Sequence, residues 1–531
     1  MYAAVGIIAL TFALPGRASN PLVVKTDQGK VQGKMSADGK ARDFLGIPFA
    51  APPVGPLRWK PPQPAAKWHG VRQSTTFGSR CMQQERYDDM MFRDPGENED
   101  CLTLNVWTPA AKAKGKLPVM VWIFGGGFQG GSTSEPRQDG EYLARKGVVV
   151  VSMNYRLHIF GFFAHPALAG ESPQHAAGNY GLMDQTAALQ WVARNIAAFG
   201  GDPRNVTIFG ESAGSISVSA QMASPMARGL FAHAIGESGG AFSRSPRSLA
   251  EAEKRGAEFA QHTTANASLA ALRVMNAGDL LDAAKQACEA SDCGVIAPDV
   301  DGYFLPEPVP QIYAAGKQAH VPLLAGWNRD EGTSQVVDAP ERPTVKSLRA
   351  LAVQRFGARA DEFLKAYAAS NDEEALRVAE DFAGDTFIAY STWGWLEAQV
   401  KSGDARVYRY CFELASPGDP YHPVSGGAFH SDEIVYVFGT LDSRTGAVWR
   451  PEDYKLSDLM QTYWTNFAKT GNPSSAGVPN WPAYDAAGDW QVMHLKPDST
   501  AEGDSHRARA RCAEADEPQR QQTTTDQAAN E

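Results

Sequence analysis

Residues 206–215 read Val-Thr-Ile-Phe-Gly-Glu-Ser-Ala-Gly-Ser. An apolar run thus ends in Gly210-Glu211-Ser212-Ala213-Gly214, a G-x-S-x-G, and a helix-compatible stretch follows. A serine on so tight a strand-to-helix turn takes a strained backbone, and flanking glycines relieve the crowding because they carry no Cβ. Its hydroxyl is lifted beside a helix N-terminus, where free N–H groups favour developing negative charge. This is the setting of a nucleophile. Such a hydroxyl needs a base to take its proton, and the tetrahedral intermediate it forms needs donors for its oxyanion. Candidate donors follow the apolar run 119–124, in Gly125-Gly126-Gly127-Phe128, where three glycines let the main chain approach a carbonyl closely. A phosphate loop is the competing reading of those glycines, but the G-x-x-x-x-G-K-[ST] pattern is absent. Taken alone, G-x-S-x-G reads equally well as a chance match in a loop. The strand before it and the glycine loop upstream weigh against that.

The residues around these stretches predict the elements that position them. Short runs at 119–124, 148–152, 206–209, 321–325 and 407–414 are rich in Val, Ile, Leu and aromatics and lack polar alternation. Strands covered on both faces read this way, so a mostly parallel sheet flanked by helices, an α/β class, is expected. Between them lie helical patterns such as 181–199, where Leu182, Leu189, Trp191, Val192 and Ile196 form an apolar stripe. Residues 22–25 and 31–34, joined by a turn at 27–29, predict an antiparallel hairpin at a sheet edge. Stretches rich in Ala, Leu and charge at 251–292 and 343–397 predict helices inserted between core strands. No fixed-period repeat and no long linker is present, which favours one elaborated domain over 19–512. Residues 513–531 are polar and predict a disordered tail.

Composition narrows the partners. With 50 Lys plus Arg against 60 Asp plus Glu, the formal charge is −10, and no long basic run offers phosphates a face, so nucleic acid is excluded as a partner. The apolar stretch 3–14, broken by Pro15, Gly16, Arg17 and Ala18, is shorter than the roughly 20 residues that span a bilayer and fits a secretory signal over 1–18. An exported protein, periplasmic or secreted, without stable membrane insertion is expected. The six cysteines form no C-x-x-C, and no histidine joins them at zinc spacing, so no metal is expected.

Several longer segments resemble the type B carboxylesterase family. They are Phe199-Gly200-Gly201-Asp202-Pro203 before the serine strand, Glu99-Asp100-Cys101-Leu102-Thr103-Leu104-Asn105-Val106, Phe44-Leu45-Gly46-Ile47-Pro48-Phe49-Ala50, Asn154-Tyr155-Arg156 and Gly178-Asn179-Tyr180-Gly181-Leu182. The overall look is that of bacterial para-nitrobenzyl-esterase-like members. The resemblance implies an α/β-hydrolase fold, helical insertions around a substrate gorge, and a Ser-Glu-His triad in the chain order nucleophile, acid, histidine. Seven histidines lie after Ser212, and composition does not choose among them. Segment 428–439 resembles the family's histidine loop and points to His430, with His422 as a nearby competitor. The family's Asp-Glu-Gly motif points to Glu331 as the acid, with Asp330 as a rival that spacing does not separate. Gly126, Gly127 and Ala213 match the oxyanion hole, and Glu211, Ser238 and Glu433 match a buried polar network behind the triad. The same resemblance pairs Cys81 with Cys101, and Cys288 with Cys293 across a short loop, and leaves Cys411 and Cys512 open.

The reaction implied is hydrolysis of small carboxylic esters through an acyl-enzyme, with no cofactor. A base that starts neutral predicts activity rising through a pH of roughly 6 to 7. No tryptophan stands between Cys81 and Cys101, where cholinesterases hold a quaternary ammonium, so a choline ester is not expected. Two alternatives stand beside the esterase reading. One is a non-catalytic adhesion or binding module of the same fold, which the intact Ser212, Glu331 and His430 disfavour. The other is an esterase specialised for phthalates, polyesters, carbamates or a mycotoxin ester. Oligomeric state is not readable from the sequence.

Overall fold

In the computed structural model, residues 21–506 are described, apart from 86, 112–114, 243–246, 265–267, 291–296, 338–340, 404 and 423–425. The expected signal segment 1–18 and tail 513–531 lie outside the described residues. Among the described residues there are fourteen strands: β1 (Val23–Lys25), β2 (Lys30–Gln32), β3 (Lys34–Met35), β4 (Ala41–Pro48), β5 (Val71–Gln73), β6 (Thr103–Pro109), β7 (Leu117–Ile123), β8 (Val149–Met153), β9 (Gly201–Glu211), β10 (His233–Glu237), β11 (Leu323–Asn328), β12 (Val407–Phe412), β13 (Gln491–Leu495) and β14 (Thr500–Gly503). Eleven of them build one sheet in the order β14-β13-β12-β11-β10-β9-β7-β8-β6-β4-β3. From β8 to β13 the neighbours run parallel, while antiparallel strands finish both edges.

The apolar runs explain this centre. Every residue of β8, β11 and β12 is buried, as strands covered by helices on both faces must be. The predicted helix over 181–199 is present as Tyr180–Asn195 followed by a 3-10 turn Ile196–Phe199. The hairpin of β1 and β2 forms, but away from the main sheet: β2 pairs parallel with β5, making a separate three-stranded sheet. Alternation reports a half-buried strand, whereas the partner beyond the turn comes from residues 71–73 and leaves no local signal.

Two insertions follow β10 and β11. The first carries helices Leu249–Thr263, Leu269–Val274 and Ala277–Ala290. The second carries Val345–Phe356, Ala360–Ala366, Asp372–Gly384 and Tyr390–Ser402, with a π-helical turn Asp385–Ala389 between the last two. Leu348, Ala352, Phe356, Phe363, Tyr367 and Phe382 make a small core of their own within it. The strand ends that matter all lie at one edge: β7, β9, β10 and β11 are parallel neighbours, and their carboxyl ends open together, where ligands bind in such sheets.

Candidate active site

Strand β9 delivers Ser212 onto the first turn of helix Ala213–Ala223, with φ 54° and ψ −121°. Its N–H donates to the Glu237 carbonyl at 2.8 Å, which fixes the strained backbone against β10. Gly210 and Gly214 are needed for space, since the positive φ falls on the serine itself. A Cβ on Gly210 would stand 2.5 Å from the Ile123 carbonyl oxygen, and one on Gly214 would collide with the same atom. Gly125 is constrained equally, because a Cβ there would lie 2.6 Å from the Glu211 carbonyl oxygen and 3.0 Å from Ser212 Cβ. The end of β7 is itself anchored where the Tyr155 hydroxyl donates to the Phe124 carbonyl at 2.8 Å.

Three residues far apart in the chain meet here. His430 Nε2 is 2.9 Å from Ser212 Oγ, and His430 Nδ1 is 2.6 Å from Glu331 Oε2. Glu331 follows β11, and its other oxygen accepts from Ser238 Oγ at 2.5 Å and from the Asn328 N–H at 2.9 Å. That leaves Oε2 for the imidazole. Asp330 does different work: its side chain accepts from the Ala428 N–H at 2.7 Å and its own N–H donates to the Ala428 carbonyl at 3.0 Å. It thereby ties the loop carrying His430 to the loop carrying Glu331. His422 is paired through Nδ1 with Asp419 at 3.0 Å and stacks on Phe429 at 4.3 Å between ring centroids.

The backbone of the acid's loop also docks the second insertion. A Cβ on Gly332 would run into Ala383 and Gly384 of helix Asp372–Gly384, and one on Gly384 would stand 3.3 Å from Glu331 Cβ. The π-helical turn that follows carries Phe387, whose ring meets His430 edge-on at 5.0 Å between centroids.

Carboxylates dominate the surroundings of the imidazole. Glu211 Oε1 lies 3.2 Å from His430 Nε2, on the nitrogen that faces Ser212. Burial alone would pull the imidazole down, but Glu211 and Glu331 outweigh it and hold His430 up to about 9. This lies above the 6 to 7 expected from an ordinary histidine. Burial raises Glu211 to about 7, with His430 and Arg137 opposing. Glu433, whose Oε2 accepts from Asn328 Nδ2 at 2.5 Å, is pushed well above the carboxylate range by burial and by Glu211, Glu237 and Glu331.

Gly126 and Gly127 take φ 100° and 62°, and among the described residues no acceptor takes their N–H groups or that of Ala213. Ala213 begins its helix, so its N–H has no partner within it. Gly126, Gly127, Ser212 and His430 all line one cavity of about 290 Å³. A carbonyl bound beside Ser212 would meet donors fixed in advance on one side and a proton acceptor on the other. Among the described residues no group of His, Cys, Asp or Glu could hold a metal ion.

Some residues of the site escaped the sequence reading. Glu237, at the end of β10, accepts from Trp464 Nε1 at 2.7 Å and is raised by burial to about 8. A charged residue two positions after Ala234-Ile235, at the end of that short strand, was the available signal. Arg137, paired with Glu135 at 2.6 Å and Asp89 at 2.9 Å, and Phe387 line the cavity with no local signal at all. Cys81 and Cys101 are bonded, and the neighbouring Glu99 pairs with Arg58 through both oxygens at 2.6 and 2.7 Å. Cys411 is buried and free. Cys293, the Cys288 side chain and Cys512 lie outside the described residues.

Comparison with known proteins agrees with this fold. Residues 20–514 match the model of the carboxylesterase family. The chain is 38% identical over 506 residues to the fumonisin B1 esterase of Sphingopyxis macrogoltabida, covering 91% of this chain and 89% of that one. It is also 38% identical over 473 residues to the para-nitrobenzyl esterase of Bacillus subtilis (strain 168), covering 87% and 92%. A solved PNB esterase structure superposes with a TM-score of 0.79 at 36% identity, over 93% of this chain and 99% of that one.

Proposed function

The chain belongs to the carboxylesterase family and has its α/β-hydrolase fold, and on that premise we propose that it hydrolyses carboxylic esters at Ser212. Ser212 attacks the ester carbonyl while His430 takes its proton; the alcohol leaves with the proton from His430; water then cleaves the acyl-enzyme by the same relay. Glu331 holds the imidazole in the tautomer that accepts from serine and stabilises the imidazolium. The N–H groups of Gly126, Gly127 and Ala213 take the oxyanion, and loss of one such donor costs about 2.7–4 kcal/mol of transition-state stabilisation. The observation that carries this reading is the continuous relay of 2.9 and 2.6 Å from Ser212 through His430 to Glu331. Ser212→Ala is expected to abolish turnover of 4-nitrophenyl butyrate, and wild-type-like turnover by that variant would sink the assignment.

Ser238, Glu211 and Glu433 act by orienting and charging this relay without touching substrate. Residues 19–512 act as one hydrolase domain, a reading supported by the family match over 20–514. The named relatives act on esters as different as fumonisin B1 and nitrobenzyl compounds at equal identity, so relatedness alone does not assign the substrate. The chain is exported after removal of residues 1–18. The Cys81–Cys101 bond supports this, since such bonds persist in oxidising compartments, and no described helix is long and apolar enough to cross a membrane.

A further inference from the structure

The turn that carries the acid and the loop that carries the base each present further polar side chains to the cavity. The Thr333 N–H donates to the Asp330 carbonyl at 3.2 Å and the Gln335 N–H to the Gly332 carbonyl at 3.1 Å, so Ser334 and Gln335 ride on the same tight turn as Glu331. Both line the cavity with Ser212 and His430, and so does Ser431, the residue after the base. Tyr87, Gln138 and the charged side chains of this wall already have partners, Gln138 with Trp122 and Arg137 with Glu135 and Asp89. The side chains of Ser334, Gln335 and Ser431 have none among the described residues. Ser431 also takes φ 70°, a left-handed backbone that glycine adopts at lower cost. Other residues persist there where their surroundings hold them, and they gather at active sites.

We infer that Ser334, Gln335 and Ser431 form a subsite for a hydroxyl group carried by the ester, with Ser431 its deciding contact. This rests on the esterase reading and deepens it, because it names the substrate class: an ester with a free hydroxyl a few bonds from the scissile group. A serine hydroxyl and a glutamine amide each donate and accept. A substrate hydroxyl does both in return, whereas an ammonium only donates and a carboxylate or ether only accepts. An apolar chain laid in the same place would cover the half-buried Ser431 and leave its hydroxyl unpaired, the costly side of a hydrogen bond. The bond from the Ala428 N–H to Asp330 joins the two loops, so the subsite is fixed relative to the relay it serves.

Ser431→Gly tests this, because glycine removes the hydroxyl from a backbone that suits it. Two pairs of esters differ by hydroxyl for methyl: 2-hydroxyethyl butyrate with propyl butyrate on the alcohol side, and ethyl 3-hydroxybutyrate with ethyl 3-methylbutyrate on the acyl side. For all four, kcat/KM is measured by acid release in a pH-stat. The ratio within a pair is independent of how much of the variant is folded. In one pair the ratio of hydroxyl to methyl ester is expected to fall about tenfold relative to wild type, the worth of one net hydrogen bond. The responding pair identifies the side of the ester that the subsite reads. Gln335→Leu should lower the ratio in that same pair by about threefold or more, and a fall confined to Ser431→Gly would overturn the shared subsite. Both ratios within twofold of wild type in Ser431→Gly would overturn the inference, even if all four esters lose rate together, since a uniform loss marks a residue that only orients His430. Failure of the esterase reading is distinct, because then wild type itself would turn over none of the four.

Discussion

His430 serves two carboxylates at once, Glu331 at 2.6 Å on one nitrogen and Glu211 at 3.2 Å on the other. Each favours the imidazolium, so the base is freed only at higher pH than an ordinary histidine. For wild type, kcat/KM should therefore rise through a limb above pH 7, toward the value of about 9. Removing the Glu211 charge withdraws support from the charged form, so the limb of Glu211→Gln should move down by about one pH unit or more. A limb that stays in place in that variant would show that Glu211 does not set the charge of the base. The residues readable from the sequence were those whose chemistry demands glycine or a fixed neighbour: Ser212 between Gly210 and Gly214, and Glu331 in Asp-Glu-Gly. Tyr87, Arg137 and Phe387 were illegible because each comes from a loop or turn aimed into the cavity by distant packing. Spacing alone did not separate Asp330 from Glu331; the family motif favoured Glu331, which faces His430 at 2.6 Å while Asp330 accepts from the Ala428 N–H.

At the level of elements, parallel strands end at one edge and bring their last residues together, which gathers acids as well as catalysts. β9, β10 and β11 contribute Glu211, Glu237 and, just past the last, Glu331. Glu237 is the one with no part in the relay, and burial raises it to about 8 from an ordinary 4.5. The folded state then binds a proton that the unfolded chain releases between those values. Stability from this group is full below pH 4.5 and is lost progressively as pH rises to about 8. Glu237→Gln keeps an acceptor for Trp464 and has no charge to bury. Thermal melts should show the fall in Tm from pH 6 to pH 9 shrinking in this variant, and an unchanged fall would refute the assignment. Strands and helices of the sheet core were legible because double burial leaves an unbroken apolar run. The separate sheet of β1, β2 and β5 was not, since alternation names a wet face without naming a neighbour.

For the whole molecule, the relay joins residues 212, 331 and 430, so no fragment between the insertions could hold a site. Fractionation of the native cells followed by N-terminal sequencing should find a chain that starts near residue 19 in the exported fraction, with Cys81 and Cys101 oxidised. Recovery of the chain in the cytosol with Met1 intact would contradict export. A charge of −10 bears little on the substrate, whereas the acids gathered in the cavity set the field at His430. Gly332 and Gly384 meet backbone to backbone, so the second insertion is moored to the acid's loop by atoms that every amino acid shares. Side chains of that insertion away from Gly384, Phe387 among them, can therefore change without displacing Glu331, whereas one at Gly384 would press on it. The wall of the pocket is replaceable, and the post that carries the acid is not.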